Sequence, residues 1–391
     1  MNVYADNAAT TAVSQAALAA MLPCFTAGYG NPSSIHTPGQ EAAAVLDSAR
    51  ERLGKLLNAS PREIYFTGGG TEADNWAVYI AAAIGAKKNK RHFISTRFEH
   101  HAMLHTLEKL AKKGDAEVTL LEVHEDGLVR PGELAAAIRE DTALVSVMYA
   151  NNEIGTLQPI PQLGAICRER GVLFHTDAVQ AVGHVPIDVK EQNIDLLSLS
   201  GHKFHGPKGV GALYCRSAVP VASFIEGGAQ ERGKRAGTEN VPGIAGMVAA
   251  LEDSCGHMVA NSDKVSALRD RLIEALSQIP RGRLNGHREK RLPGIVNFCF
   301  EGIEGESLLL RLDMAGISAS SGSACTSGSL DPSHVLLALG LPHEIAHGSL
   351  RLSLSEYNTP AEMDYVIETL PGIIQLLRDM SPVWERIEKG E

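Results

Sequence analysis

The sequence lacks an apolar run long enough to span a membrane. Its longest uncharged and mostly apolar stretch covers residues 76–86, whereas a membrane-spanning helix needs roughly 18 such residues. Residues 1–11 also lack the basic and then apolar pattern of a secretory leader, because Asp6 and several Asn and Thr residues lie there instead. We therefore expect a cytoplasmic protein that does not bind a membrane.

An excess of positive charge is missing as well. The 36 Lys and Arg residues are outnumbered by 46 Asp and Glu residues, and the net charge is -10. Such a chain repels a phosphate backbone, so nucleic acid is not expected as a partner. Hydrophobic residues make up 44% of the 391 residues, which is typical of a soluble protein with a packed core. The length allows two domains or three.

Cysteine is sparse and widely spaced. The six cysteines include no C-x-x-C pair, so neither a zinc site nor a disulfide framework is predicted. Most of them are expected to be small buried apolar residues. Cys325 is the exception, because it lies among Ser, Gly and Thr residues in the segment 320–329. That setting predicts an exposed thiol.

The chain between about residues 60 and 215 alternates strand-length apolar runs with helix-length amphipathic stretches. This alternation predicts an α/β fold in which crossover helices join parallel strands. The predicted strands are 63–67, 92–96, 117–123, 143–149, 172–176, 196–200 and 211–215. We expect them to form a mostly parallel, seven-stranded sheet in a large domain of residues 12–260. Residues 1–11 and 261–391 are expected to form a smaller α+β domain.

Polar residues follow several of these strands, at the sheet edge where α/β proteins bind ligands. The glycine turn 68–71 leads into a helix N-terminus and can hold a phosphate, although a plain helix cap is an equal alternative. Asp177 and Lys203 each follow another strand. A buried lysine can bond covalently to a cofactor, and a buried aspartate can keep a ring nitrogen protonated. Together they fit pyridoxal phosphate, with a surface salt bridge as the alternative for the pair.

Several segments resemble the cysteine desulfurases of the class V aminotransferase family. The string Ser-Gly-His-Lys-Phe-His-Gly-Pro-Lys-Gly at 200–209 is similar to the cofactor-lysine motif. Further matching stretches are 6–11, 30–34, 150–155 and 235–240, within a resemblance that runs from residue 4 to 384. The segment 320–329 resembles the long cysteine loop of the first desulfurase group. The stretches 228–233, 327–334 and 381–384 are most similar to the nitrogen-fixation branch.

The resemblance implies a fold type I pyridoxal-phosphate enzyme and assigns roles to individual residues. Lys203 would hold the cofactor covalently, and Asp177 would pair with its pyridine nitrogen. Other cofactor contacts would be His100 on the ring, Asn152 and Gln180 at the phenolic oxygen, and Gly70, Thr71, Ser200 and His202 at the phosphate. Thr238 would reach the cofactor phosphate of a neighbouring subunit, which implies a homodimer. Arg351, with Asn152, would bind the substrate carboxylate; an exposed strand charge is the alternative for Arg351.

The implied reaction is the removal of sulfur from L-cysteine. Lys203 would take the Cα proton, His100 would relay protons, and Cys325 would attack the substrate sulfur. Alanine would leave, and a persulfide would remain on Cys325. An iron–sulfur scaffold protein would accept this sulfur, with nitrogenase metalloclusters as one destination, and Cys325 could transiently ligate a cluster on the scaffold. No resident metal is expected.

Three alternatives stay open at this point. A selenocysteine lyase, or another enzyme of small amino acids, would keep the cofactor and change the substrate. A sulfur-carrying scaffold would keep Cys325 and have a vestigial lysine site. The segment 343–347 has the H-E-x-x-H pattern of zinc hydrolases, but Pro342 and Gly348 leave room for only one helical turn between them.

Overall fold

The computed structural model describes residues 1–321 and 332–389, so Cys325 lies outside the described residues. The strands are β1 Val3–Tyr4, β2 Ile64–Thr67, β3 His92–Thr96, β4 Glu117–Leu121, β5 Thr142–Ser146, β6 Leu173–Asp177, β7 Leu196–Ser200, β8 Gly211–Cys215, β9 Gly282–Leu284, β10 Ile295–Phe300, β11 Ile317–Ser318 and β12 Ser349–Ser353. The α-helices are α1 Gln15–Thr26, α2 Thr37–Leu56, α3 Gly70–Lys88, α4 His101–Lys112, α5 Pro131–Ala137, α6 Ile160–Glu169, α7 Gln230–Gly233, α8 Val241–Gly256, α9 Met258–Leu276, α10 Gly305–Met314, α11 His334–Ala338, α12 His343–Ala346, α13 Pro360–Asp379 and α14 Pro382–Lys389. Short 3₁₀ helices lie at Pro61–Glu63 and Gly201–Lys203.

The large sheet has seven strands in the order β2-β8-β7-β6-β5-β3-β4. All neighbouring pairs from β7 to β4 are parallel, and β8 is antiparallel to both β2 and β7. The predicted mostly parallel, seven-stranded sheet is therefore confirmed. Residues 147–149 were expected in β5, which ends at Ser146, although the Tyr149 amide still donates to the Asp177 carbonyl at 2.8 Å.

Helix α3 begins directly after β2, through the glycine turn. Gly69 has a φ of 148°, which residues with side chains rarely adopt, and the helix starts at Gly70. Trp76 and Ile80 anchor α3 because both are fully buried in one hydrophobic cluster with residues of the sheet. The first turn of α3 consequently lies at the carboxyl end of β2, beside the other strand ends.

A second hydrophobic core lies outside the large sheet. It contains Val3, Leu272, Phe298, Leu350 and Val366, from both ends of the chain. Around it are the antiparallel sheet β12-β10-β9 and the parallel pair β1-β11. The boundary at residue 260 remains a prediction, which this separate core favours.

The sequence feature that suggested a zinc hydrolase has a simple local structure. The H-E-x-x-H segment forms one helical turn, α12, before β12 begins at Ser349. Within residues 1–321 and 332–389, no three metal-ligating side chains form a group that could hold a metal ion. No helix in this part of the chain is long and apolar enough to cross a membrane.

Candidate active site

A cavity of 260 Å³ opens at the carboxyl ends of the central strands of the large sheet. The residues predicted from the sequence that line it are Gly70, Thr71, His100, Asn152, Asp177, Gln180, Ser200, His202, Lys203 and Arg351. Thr238 does not line it and is exposed between α7 and α8. The fold thus brings together residues that lie up to 343 positions apart, from Ala8 to Arg351.

One end of the cavity is suited to an anion. The backbone at Gly70 lies close to the side chain of Val179, since a Cβ on Gly70 would be 2.6 Å from a methyl carbon of Val179. The first amides of α3 lie at this end with the hydroxyls of Thr71 and Ser200, and a helix N-terminus attracts negative charge. Amides and hydroxyls that meet at one cavity favour an anion-binding site over the plain helix cap that the sequence left as an alternative.

Lys203 lies on the short 3₁₀ turn after β7. Its Nζ donates hydrogen bonds to the carbonyls of Ala8 at 2.6 Å and Ala9 at 2.9 Å. The Lys203 carbonyl lies 3.0 Å from Nε2 of the partly buried His184. The N-terminal segment 6–11 therefore passes directly over the lysine and holds its amine at the cavity.

Asp177 ends β6 and is almost completely buried. Burial raises the pKa of its carboxyl, while the Val179 amide, which donates to it at 2.9 Å, and the charge of Lys203 oppose that increase. Asp74 lies beside it, and burial together with the charge of Asp177 raises the Asp74 pKa well above its usual value. We infer that the pair carries one negative charge, on Asp177.

Asp74 was missed by the sequence analysis. It lines the cavity and is 1% exposed, and its Oδ1 lies 3.7 Å from Nε2 of His175. A signal was available, because Asp74 lies four residues after Gly70 on α3, and positions four apart share one face of a helix.

His100 caps the N-terminus of α4. Its Nδ1 accepts a hydrogen bond from the Ala102 amide at 3.1 Å, and burial lowers the pKa of its ring. A neutral imidazole whose Nδ1 accepts carries its proton on Nε2. His100 can therefore present an N–H donor to the cavity.

Arg351 lies in the middle of β12. It lines the same cavity as the glycine turn at the start of α3. Its side chain is 3% exposed, so the alternative of an exposed strand charge is wrong. Nη1 donates to the Asn152 carbonyl at 3.0 Å, and Nη2 donates to Asp6 Oδ1 at 2.9 Å. A buried guanidinium at a cavity is well suited to bind a carboxylate.

Comparison with known proteins decides the family. The family model described as aminotransferase class V matches residues 3–366. This chain belongs to the class V aminotransferase family. The curated protein "Cysteine desulfurase IscS" of Clostridium botulinum (strain Hall) is 54% identical over 392 residues, which cover 100% of this chain and 98% of that protein. "Cysteine desulfurase IscS" of Methanosarcina thermophila is 55% identical over 381 residues, 97% of this chain and 94% of that protein.

Solved structures agree with the family assignment. A structure titled "NIFS-LIKE PROTEIN" has a TM-score of 0.91 and 39% identity, and the match covers 96% of this chain and all of that one. Class V aminotransferases are pyridoxal-phosphate enzymes of fold type I. The predicted fold class, cofactor and resemblance to cysteine desulfurases are thereby confirmed. The nitrogen-fixation branch stays a prediction.

The cavity fits the cofactor of this family. An anion cradle at α3, a buried carboxylate at Asp177 and an amine at Lys203 lie around one cavity, and a phosphorylated pyridine aldehyde requires these three groups.

Proposed function

We propose that this chain is a cysteine desulfurase that converts L-cysteine into L-alanine and leaves the sulfur as a persulfide on Cys325. One observation carries the proposal: the amine of Lys203, the carboxylate of Asp177 and the guanidinium of Arg351 line one cavity with an anion cradle. This is the set of groups that a pyridoxal-phosphate enzyme needs to bind an amino acid and remove its Cα proton.

The chain's own residues bind and orient the reactants. Thr71, Ser200 and His202, with the first amides of α3, hold the cofactor phosphate, and Asp177 keeps the ring nitrogen protonated. The bound cofactor withdraws electrons from the amino-acid Cα and so acidifies its proton. Arg351 binds the substrate carboxylate with two parallel hydrogen bonds, which fixes the orientation of Cα. Asn152 and Gln180, which line the same cavity, would hold the phenolic oxygen of the cofactor.

Two residues move the protons. The Lys203 amine takes the Cα proton, and the carbonyls of Ala8 and Ala9 stabilise the ammonium that results, because both accept hydrogen bonds from Nζ. His100 supplies a proton from Nε2, since its Nδ1 is already occupied by the Ala102 amide. General acid–base groups placed in this way contribute about 10²- to 10⁴-fold each to a rate.

Sulfur transfer completes the reaction. The Cys325 thiolate attacks the substrate sulfur, so that an S–S bond forms while the Cβ–S bond breaks. The electron pair of the broken bond stays with the substrate carbon skeleton, which gains protons at Cβ and Cα and leaves as alanine. The products are one alanine and one Cys325 persulfide for each L-cysteine, with no external oxidant.

Mass analysis tests this stoichiometry. The holoenzyme is mixed with one equivalent of L-cysteine without a reductant, and alanine and the peptide that contains Cys325 are measured. We expect equal amounts of alanine and of a peptide heavier by one sulfur atom. Alanine without a modified peptide would contradict the role of Cys325, and an absence of alanine would contradict the proposed reaction.

The two buried aspartates are expected to respond differently to substitution. Asp177→Asn removes the charge that keeps the ring nitrogen protonated and should lower turnover of L-cysteine by about 10²-fold or more. Asp74→Asn should cost only a few-fold, because an amide resembles the neutral carboxyl that burial favours at Asp74. Initial rates of alanine formation measure both variants; equal losses would show that Asp74 carries charge.

We propose that the enzyme is a homodimer. Leu18, Leu22 and Phe25 form an exposed stripe on one face of α1, and Tyr29 and Ile35 follow it with 74% and 92% exposure. Large apolar side chains grouped on a surface are typical of protein interfaces. Thr238 is exposed and apart from the cavity of its own chain, as a residue that contacts the partner's cofactor phosphate would be.

Charge on the apolar stripe is expected to dissociate the dimer. Phe25→Asp should give a monomer in light scattering, and its cofactor content should fall because the partner's Thr238 no longer contacts the phosphate. Val259→Asp is the matched control, since Val259 is 76% exposed on α9 and lies outside the stripe. A dimeric Phe25→Asp variant with full cofactor content would contradict this interface.

We further propose that the persulfide sulfur passes, in the cytoplasm, to an iron–sulfur scaffold protein, with nitrogenase clusters as one destination. The resemblance to desulfurases supports this acceptor. A selenocysteine lyase remains the second candidate, and Cys325 distinguishes the two. A Cys325→Ala variant that lost persulfide formation from L-cysteine but released selenium from selenocysteine at the wild-type rate would favour the lyase.

A further inference from the structure

The guanidinium of Arg351 already holds a carboxylate from its own chain. Residues 6 and 7 run beside β12, where Asp6 forms an isolated bridge with Ser353 and the Asn7 amide donates to the Ser353 carbonyl at 3.1 Å. This placement brings Asp6 Oδ1 to 2.9 Å from Arg351 Nη2. The side chain of Arg351 is 3% exposed and that of Asp6 is 22% exposed, so the ion pair is only partly screened by water.

The position of Asp6 matters because of the shape of a guanidinium. A carboxylate that binds with both oxygens uses either the Nε–Nη2 edge or the Nη1–Nη2 edge. Both edges include Nη2, which Asp6 holds, and Nη1 is engaged by the Asn152 carbonyl at 3.0 Å. The buried Nε has no hydrogen-bond partner among the described residues. An incoming carboxylate therefore finds Nε available but must share or take Nη2.

We propose that Asp6 is a built-in competitor for the substrate and product carboxylate at Arg351. This inference rests on the proposed function, in which Arg351 binds the carboxylate of the amino acid. Without a ligand, Asp6 supplies the counter-charge that a buried guanidinium requires. When an amino acid binds, its carboxylate either displaces Asp6 or lies next to it, and both outcomes weaken binding.

The competition affects L-cysteine and alanine alike. Alanine has the same carboxylate as the substrate but has no thiol that could react. Weaker binding of its carboxylate to Arg351 shortens the time that the product occupies the site. Asp6 returns to Nη2 as alanine leaves. The positive charge of Arg351 therefore has a negative partner between turnovers. Asp6 is thus a positioning residue that sets affinity and does not act on the reacting atoms.

Binding of L-alanine to the holoenzyme tests the proposal without measuring turnover. Calorimetry is carried out on the wild type, Asp6→Asn, Asp6→Ser and Asp6→Glu, with L-alanine and with L-alaninamide, which lacks the carboxylate. We expect Asp6→Asn and Asp6→Ser to bind L-alanine about tenfold more tightly, because the like charge at Arg351 is gone. Asp6→Glu should resemble the wild type, and alaninamide should show no gain in any variant.

Thermal unfolding supplies a second readout. Asp6→Asn and Asp6→Ser should melt below the wild type, since a buried cation has lost its partner, and L-alanine should raise their melting temperatures more than that of the wild type. Unchanged or weaker binding of L-alanine in both variants would overturn the proposal.

Arg351→Lys separates this result from a failure of the proposed function. If Arg351→Lys binds L-alanine as the wild type does, Arg351 is not the carboxylate site and the proposed substrate geometry is wrong. If Arg351→Lys loses L-alanine binding while Asp6→Asn and Asp6→Ser show no gain, the proposed function stands and the competitor role of Asp6 is wrong.

Discussion

Lys203→Ala is expected to lower turnover of L-cysteine by at least about 10³-fold, because one substitution removes both the covalent attachment of the cofactor and the base that takes the Cα proton. The purified variant should also lose the visible absorption of a lysine-bound cofactor. Lys208→Ala is the matched control, since Lys208 belongs to the same sequence motif but is exposed and lies outside the cavity.

Two outcomes would contradict this role of Lys203. A Lys203→Ala variant that kept its visible absorption and most of its turnover would show that another group holds the cofactor. An equal loss in Lys208→Ala would show that the motif supports the fold and that the effect at Lys203 is not chemical. Circular dichroism of both variants checks that they fold.

Cys325→Ala is expected to retain the cofactor and to lose persulfide formation by at least about 10³-fold, because the attacking thiolate is gone. The five other cysteines do not replace it. Burial raises the pKa of Cys167 and of Cys215 to about 12 and that of Cys299 to about 11, so these thiols are protonated at neutral pH. Cys24 and Cys255 also have raised pKa values from burial.

Cys255→Ala is the control for this experiment, because Cys255 is the least buried of the cysteines that the structure describes. Protein-bound sulfur and alanine are measured for both variants after addition of L-cysteine. Persulfide formation at the wild-type rate in Cys325→Ala would assign the attack to another thiol. A loss of visible absorption in Cys325→Ala would place Cys325 in cofactor binding instead of sulfur transfer.

The sheet was predictable from sequence because its strands are buried. The runs 92–96 and 196–200 are bounded by charged residues or glycine, and the run 211–215 begins with a glycine and ends before Arg216. The observed β3, β7 and β8 have the same limits. The end of β5 was less predictable, because apolar residues continue beyond Ser146 and the amides of Val147 and Tyr149 still donate to carbonyls of β6 outside the regular ladder. An apolar run shows burial but does not show where hydrogen-bonded pairing stops.

The cavity was predictable where a residue type carries the chemistry, as at Lys203 and Asp177. The Ala8 and Ala9 carbonyls were missed as partners of Lys203, because a backbone acceptor can belong to any residue. The contact of Asp6 with Arg351 joins positions 345 residues apart, and no local pattern indicates such a pair. Contacts between residues that are distant in the sequence therefore became visible only in the structure.

The most direct test of the central claim is the visible absorption spectrum of the purified protein before and after addition of L-cysteine, with alanine and sulfide assayed in the same sample. The account predicts a yellow protein whose spectrum changes on addition of L-cysteine and which forms alanine and, with a reductant, sulfide. A protein that stays colourless after incubation with pyridoxal phosphate, and forms neither product, would contradict it.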